Sequence, residues 1–580
     1  MTELQTSGDF GLPHIPDNLT IAQFMLDYQH EIRPVRGNVP CLVDDQSGNH
    51  ITLETLKERT ECLANALCIE YNISDKDTAM LISPNHIDYP VATWAIHRLG
   101  GVVTFSNPQF KPNEIAYQLT TAKVTFIVVH SLVLGIVLSA ARLAGFPLGR
   151  VILLDQSSIS NASSTINSVP ELISVGRQKP RAFCERLLNQ GEGKTKIALL
   201  CWSSGTTGKP KVVLAVVIPH HALIANIIQM AAHNHVNRLP GYRDNRSYRP
   251  GDVALGVLPF YHVAGLVIGL HLILFCAMTL IVVPKYDFMD MLNTISRHNV
   301  SHLILVPPQA MMFSKHPAVQ QRDYSKIGYV MIGAAPVSRE VQERLCEIFP
   351  SAQIGQAYGL TEMTTTLAMV SATQKKGPLG SGGRLLPGIE AQVIKPNGSL
   401  ARFGERGELM VKGPAKALGY FGNLQAVIFS TDEAFVDGWV RTGDDVILTA
   451  DREIFEILNV KGFQVAPAEL EGCLLSHPDV ADACVVGIAD GYSGELPVAY
   501  VVLMPAAAQS IFRNAVLADY FSERITKYIE DRKASYKHLT GGIRFIDSIP
   551  RNGSGKTLRR LLRDDAKEQI SNGNRGRVRL

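Results

Sequence analysis

Leucines at positions 53, 56, 63 and 67 fall on one helical face, and their spacing predicts an amphipathic helix over 52–70. The run TAMLIS at 78–83 is apolar throughout and predicts a strand buried on both faces. A helical stretch through Trp94 and Leu99 follows, then a strand GVVTFS at 101–106, a strand KVTFIVVH at 123–130, a helix over 132–144 and a strand RVILLD at 150–155. Strand and helix in alternation imply the α/β class, with parallel, doubly wound sheets. Polar segments at 156–169 (QSSISNASSTINSV) and 233–250 interrupt the pattern as loops, and no internal repeat is present.

Residues 263–283 are long and apolar enough to be tested as a membrane span, with His271 the one strongly polar side chain. Gly265 and Gly269 sit early in the run, and the β-favouring stretch Thr279 to Val283 stops at Pro284. That pattern predicts a buried helix followed by a buried strand, with no integral membrane span. From about Asp451 the pattern changes to a small α+β domain. It has a helix from Ala466 to Leu475, strands at 483–486 and 499–503, a helix near 515–533, a strand at 543–546 and a basic helix at 557–563. The tail from Gln569 to Leu580 reads as disordered. The division is therefore 1–450 and 451–580.

Composition narrows the classes. With 580 residues, 46% of them hydrophobic, the chain has enough apolar surface for three or four folding units and too much for a disordered polymer. A net charge of +3 spread over 56 basic and 53 acidic residues argues against a nucleic-acid partner. Nine cysteines without a CxxC pair argue against a disulfide framework or structural zinc. The N-terminal residues lack a basic and apolar secretory pattern, so a cytoplasmic location is expected. The tripeptide Val578, Arg579, Leu580 approximates the peroxisomal S-K-L address, with Val in place of a small residue.

The strongest local chemistry is SSGTTGKPK, residues 203–211, directly after the apolar strand IALLCW. Glycines permit close backbone approach, hydroxyls and amides bond phosphate oxygens, and Lys209 or Lys211 supplies charge. Pro210 stands where a Walker A loop would place its magnesium-binding hydroxyl, so the loop is of another kind. GSGKT at 553–557 also fails as a P-loop, because Pro550 occupies the position of the first glycine. What remains is Lys556 on a glycine loop, able to swing into a site made by another domain.

Seven motifs in order, SSGTTGKPK (203–211), LPFYHVAG (258–265), GAAP (333–336), GQAYGLTE (355–362), RTGD (441–444), KGFQVAPAELE (461–471) and IPRNGSGKTLRR (549–560), resemble the acyl-adenylate-forming superfamily, and within it the coumarate–CoA ligase-like branch of plants and fungi. The resemblance spans about residues 20 to 565. It implies a large N-terminal domain of doubly wound sheets with a β-barrel-like part, and a small mobile C-terminal domain. It implies that a carboxylate attacks the α-phosphate of ATP and that coenzyme A then displaces AMP, with Mg2+ as cofactor. Ser204, Thr206, Thr207 and Lys211, with Ser203, Gly205 and Gly208, would hold the β- and γ-phosphates. Gly333, Ala334 and Ala335 would lie beside adenine, with Tyr358 stacked on it and Gln356, Ala357 and Gly359 around it. Thr361 would touch the α-phosphate, Glu362 would ligate magnesium, and Asp444 would bond the ribose. Lys556 would bridge carboxylate and α-phosphate, and His262 would stand over the acyl pocket. Tyr261, Val263, Val306, Gly333 and Leu367 would line that pocket for a hydrophobic acid, plausibly a secondary-metabolite precursor. Lys461, Gly462, Phe463 and Gln464 would serve CoA.

Three departures stand against this pattern. Val212 replaces a glycine, and the segment VVLAVVIPHH is about three residues too long for the family. Only sixteen residues, Asp445 to Val460, separate TGD from KGFQ. Either REIFEI (452–457) is the second strand of a hairpin and the family's D-R-x-K-E hinge is missing, or Asp451 and Arg452 are the hinge pair and the hairpin is truncated. Asn459 stands where a basic residue is expected. These departures keep open a catalytically impaired nucleotide-binding homologue. An enzyme loading a carrier protein is the other alternative, although no carrier segment follows.

Overall fold

The computed structural model describes residues 5–6, 11–156, 166–202, 215–236, 248–334, 336–337, 339–422, 434–456, 458–460, 463–465, 467–490, 494–513, 517–533, 537–551 and 557–571.

The buried runs read from the sequence pair into a seven-stranded sheet. Its spatial order is Tyr420–Phe421, Ala215–Pro219, Ile197–Trp202, Val102–Ser106, Thr78–Ile82, Phe126–Val129 and Val151–Leu153. The five strands from Ile197–Trp202 onward are parallel, with Met80 level with Thr104 on one side and Ile127 on the other. Helices Leu53–Tyr71, Tyr89–Arg98, Pro112–Thr121 and Leu134–Leu143 connect and cover them. The first starts where the Thr52 hydroxyl accepts from the Thr55 amide and stops at Asn72, whose φ of 52° ends the helical turn.

A second, larger sheet changes character halfway across. Leu42–Asp44, Thr279–Val282, Val253–Gly256, His302–Leu305, Tyr329–Ile332 and Gln353–Leu360 run parallel. Beyond them Thr365–Met369, Ser381–Leu385, Glu453–Glu456, Trp439–Leu448, Arg406–Lys412 and Glu390–Ile394 continue it antiparallel. This antiparallel half stands where a barrel-like part was expected; among the described residues no pairing closes it.

The apolar run at 263–283 forms a helix, with Gly265–Leu272 in the wider π winding, and the parallel strand Thr279–Val282. His271 is buried inside it: its Nδ1 bonds the Leu266 carbonyl at 2.8 Å and its Nε2 accepts from Trp94 Nε1 at 3.2 Å. Among the described residues no helix is long and apolar enough to cross a membrane.

A smaller C-terminal domain carries its own sheet of Phe463–Val465, Leu458–Val460, Gly494–Leu503, Val480–Asp490 and Ile543–Phe545. Helices Pro467–Leu475, Leu517–Glu530 and Arg559–Ser571 pack on it, together with Pro505–Arg513, which the apolar pattern did not single out. The last helix corrects the expected tail. It continues through Ser571, and Gln569 Nε2 donates to both oxygens of Asp565, so order extends past Gln569. Residues 572–580 lie outside the described residues.

The junction between the two domains is short. Glu456 pairs with Val446 in the large sheet, whereas Leu458 pairs with Val465 in the small one. Asp451 and Arg452 sit in the turn of the 439–456 hairpin, where Arg452 donates its amide to Thr449 O and has φ 64°. The sheets therefore part between Glu456 and Leu458, six residues later than the expected 450/451 division, because the strand after Asp451 completes a hairpin of the large sheet.

Candidate active site

The cavity lies at the carboxyl ends of the parallel strands in the larger sheet, where open α/β sheets expose unpaired backbone and place their ligands. It measures about 150 Å3. Its walls come from three of the motif segments, with His262, Val263, Ala264 and Gly265 from one, Gly333 and Ala334 from the next and Ala357 through Glu362 from the third, and from Trp202, just before the glycine loop. Ile268, Ile304, Val306 and Met331 close its apolar side.

Each wall has a local cause. The loop bearing His262 is gripped by Asn85, which donates to Gly256 O and Leu258 O at 3.0 and 2.9 Å and accepts from the Phe260 amide at 2.8 Å. Gly265 lets the following helix approach that loop, since a Cβ there would lie 2.0 Å from Pro259 O. His262 is enclosed, and burial pushes its pKa from 6.5 down to about 4, so the ring is neutral at pH 7.

Ala334 takes φ 72° in the turn after strand Tyr329–Ile332. At Gly333 an added Cβ would meet nothing closer than Ala357 O at 3.7 Å, so the space above this glycine belongs to the cavity. Gly359 is sterically compelled. A Cβ there would fall 1.5 Å from Thr365 O, at the point where the register between the 353–360 and 365–369 strands shifts. Tyr358 lies over Gly382, whose added Cβ would come 3.0 Å from Tyr358 Cβ. Its hydroxyl donates to Asp444 Oδ2 at 2.7 Å, and the Asp444 amide donates to Thr442 Oγ1 at 3.1 Å.

Glu362 sits on the cavity wall at 8% exposure. Its Oε1 accepts from the Tyr420 hydroxyl at 2.7 Å, and among the described residues no basic side chain pairs with it. Among the described residues, then, this enclosed carboxylate has one neutral donor and no cationic partner of the kind buried charges ordinarily take. Among the described residues no group of three or more His, Cys, Asp or Glu gathers around it. That donor set suits Mg2+, which takes one or two carboxylates and fills its remaining positions with phosphate and water oxygens.

The sequence expectations divide accordingly. His262, Val263, Val306, Gly333, Ala334, Ala357, Tyr358, Gly359, Thr361 and Glu362 meet on one cavity, and Tyr358 ties Asp444 to it. Three expectations are corrected. The Gln356 side chain turns away from the cavity, accepting from the Val337 amide at 2.8 Å and reaching Gln342 at 3.3 Å, so it braces the backbone after GAAP. Leu367 is fully buried in the main core, and Tyr261 packs against that core; neither is on the cavity wall. Ser203, Ser204, Gly205, Thr206, Thr207, Gly208, Lys211, Ala335, Lys461, Gly462 and Lys556 lie outside the described residues; Phe463 and Gln464 stand on a strand of the small sheet. Asn85 and Tyr420 are not legible as site residues, because each reaches the site from a segment outside the motifs, and Trp202 reads only as the end of the apolar strand before the glycine loop.

The family model of the AMP-binding enzyme matches residues 32–421, and that of the AMP-binding enzyme C-terminal domain matches 469–556. The chain belongs to the AMP-binding enzyme family. Among members of this family, a probable 4-coumarate–CoA ligase 1 of Dictyostelium discoideum is 32% identical over 542 residues, covering 91% of each chain. The acyl-CoA ligase cm3C of Cordyceps militaris is 31% identical over 590 residues, covering 95% of this chain and 88% of its own. In fold, the chain is similar to the anthranilate CoA ligase AuaEII, solved in complex with anthranoyl-AMP. The TM-score is 0.77 at 20% identity, over 96% of this chain and 99% of that one.

Proposed function

We propose that the chain is an ATP-dependent acyl-CoA ligase for a hydrophobic carboxylic acid, acting through an acyl-adenylate. The observation that carries this reading is one cavity lined both by apolar side chains (Val263, Ile268, Ile304, Val306, Met331) and by Tyr358, Thr361, Glu362 and neutral His262, with Tyr358 tied to Asp444. The acid lies against the apolar side chains with its carboxylate toward His262. Adenine lies on Tyr358, and the ribose hydroxyls meet Asp444, whose orientation Tyr358 fixes.

The carboxylate oxygen attacks the α-phosphorus and pyrophosphate leaves. Thr361 and the glycine loop orient the phosphates, and Lys556 offsets the charge that develops between the two anions. Glu362 would hold Mg2+, which when bound neutralises phosphate charge. A neutral imidazole at His262 can approach the carboxylate as a hydrogen-bond donor without forming a competing ion pair. CoA thiolate then displaces AMP, with Lys461 to Gln464 on the CoA side.

The short junction favours a second reading of the same chemistry, in which adenylation outruns thioester formation. One pair of assays tests both. Pyrophosphate exchange over a panel of apolar and charged acids should rise only with apolar ones, and CoA thioester formation should follow the same preference. Exchange with no acid, or with charged acids alone, overturns the proposal.

A further inference from the structure

Residues 415–421 form a strap between two parts of the site that are far apart in the sequence. At one end the Ala417 amide donates to Glu362 O at 2.9 Å, and the Thr364 hydroxyl donates to Ala415 O at 2.7 Å. At the other end the Leu418 amide donates to Val217 O and the Val217 amide to Gly419 O, each at 2.9 Å, while Tyr420 and Phe421 pair with Val216 and Ala215. Ala215–Pro219 is the strand that emerges from the glycine loop. The strap therefore joins the TE turn of Glu362 to the exit of that loop.

Tyr420 is the one side chain of the strap seen to bond the Glu362 carboxylate. Its ring stands edge-on to Phe435, with centroids 5.7 Å apart, and its hydroxyl donates to Glu362 Oε1 at 2.7 Å. A carboxylate on a long side chain has several rotamers, and one fixed donor on one oxygen leaves the other oxygen and the remaining lone pair in a set direction. Outer groups that orient a metal ligand typically control affinity by tenfold to a hundredfold.

We propose that Tyr420 is a positioning residue for the reaction: its hydroxyl holds Glu362 in the orientation that receives the divalent cation of the cation–ATP pair, and the strap anchors that tyrosine on the strand Ala215–Pro219. This rests on the reading of Glu362 as the metal ligand.

The test measures Mn2+ binding to the full chain saturated with a non-hydrolysable ATP analogue, by electron paramagnetic resonance of free Mn2+. Tyr420→Phe should weaken Mn2+ about tenfold or more and leave metal-free analogue binding within about twofold, whereas Phe435→Leu should keep parental Mn2+ affinity. In a Glu362→Gln background, Tyr420→Phe should cause no further loss. Equal weakening by Tyr420→Phe and Phe435→Leu would reduce the role to packing and overturn the proposal, as would parental Mn2+ affinity in Tyr420→Phe while Glu362→Gln loses it. If Glu362→Gln itself binds Mn2+ normally, the underlying reading of Glu362 fails. Should Tyr420→Phe not fold, Tyr420→Trp, which fills the space without a hydroxyl at that position, takes its place with the same expected loss; parental Mn2+ affinity in that variant is equally decisive against the role.

Discussion

The Tyr358 hydroxyl donates to the Asp444 carboxylate across 2.7 Å, joining the strand Gln353–Leu360 to the strand Trp439–Leu448 beside the cavity. Tyr358→Phe keeps the ring and frees Asp444. A hydrogen bond to a charged acceptor contributes about 1.5–3 kcal/mol when enclosed, and this pair is only partly buried. The KM for ATP should therefore rise by roughly three- to tenfold with a smaller change in kcat. Steady-state pyrophosphate release at varied ATP measures it, and an unchanged KM removes Asp444 from the ribose role.

Gly359→Ala should be severe. The new Cβ would sit 1.5 Å from Thr365 O, a backbone atom that cannot move without undoing the bulge beside Tyr358. A loss of at least about 3 kcal/mol is expected, read as a fall in melting temperature together with loss of pyrophosphate exchange. A variant that melts like the parent would show that the bulge is not held as described.

Stability should fall with acid over a defined window. His97, His233, His262 and His271 are buried, and burial pushes their pKa values from 6.5 to about 3, 4, 4 and 4. In the unfolded chain each takes up a proton near 6.5, so between pH 6.5 and about 4 the unfolded state binds more protons than the folded one. Stability is level above this window and falls as pH drops through it, by up to about 1.4 kcal/mol per unit for each histidine. Melting temperatures from pH 4.5 to 8 should show the decline, and His262→Gln should make it shallower. An unaltered slope in that variant would place a charged ring at 262.

Thioester formation should lag adenylation. One residue, Ile457, separates Glu456 of the large sheet from Leu458 of the small one, and on the proposed reading a change of domain orientation between the two half-reactions has little chain to absorb it. Inserting D-R-L-K-E-L between Ile457 and Leu458 should raise the thioester rate relative to the adenylate rate in rapid-quench measurements. If the parent already makes both at one rate, or the insertion only harms, the junction does not limit turnover.

Lys556→Ala should abolish pyrophosphate exchange while ATP still binds, because its loop belongs to the C-terminal domain and not to the strands that hold the nucleotide. Calorimetry with ATP and exchange on one preparation decide it. Parallel loss of both would make Lys556 an ordinary nucleotide ligand.

What was legible in the sequence was what local chemistry dictates. Apolar runs such as 78–83 and 123–130 predict strands that the structure has, whereas the residues that meet on the cavity are legible only through the family resemblance of their motifs. Asn85 and Tyr420 were not legible, since their partners lie 173 and 58 residues away and no periodicity marks them. Gln356 was assigned to the nucleotide because it sits inside GQAYGLTE, yet side-chain direction along a strand follows pleat and bulge, and here it faces Val337. Phe455 opposite Ile447 puts Glu453–Glu456 of REIFEI in the second strand of a hairpin, a pairing that spacing alone leaves open.

The strand Gln353–Leu360 is also a seam: parallel to Tyr329–Ile332 on one side, antiparallel to Thr365–Met369 on the other. Val306, Met331 and Gly333 on the cavity wall come from the parallel half, while Asp444, tied to the cavity by Tyr358, comes from the antiparallel half. The cavity is thus walled from two separately built halves that share one strand. In the proposed ligase, a substitution at Val306 or Met331 changes the surroundings of the acid without touching the strand that carries Asp444.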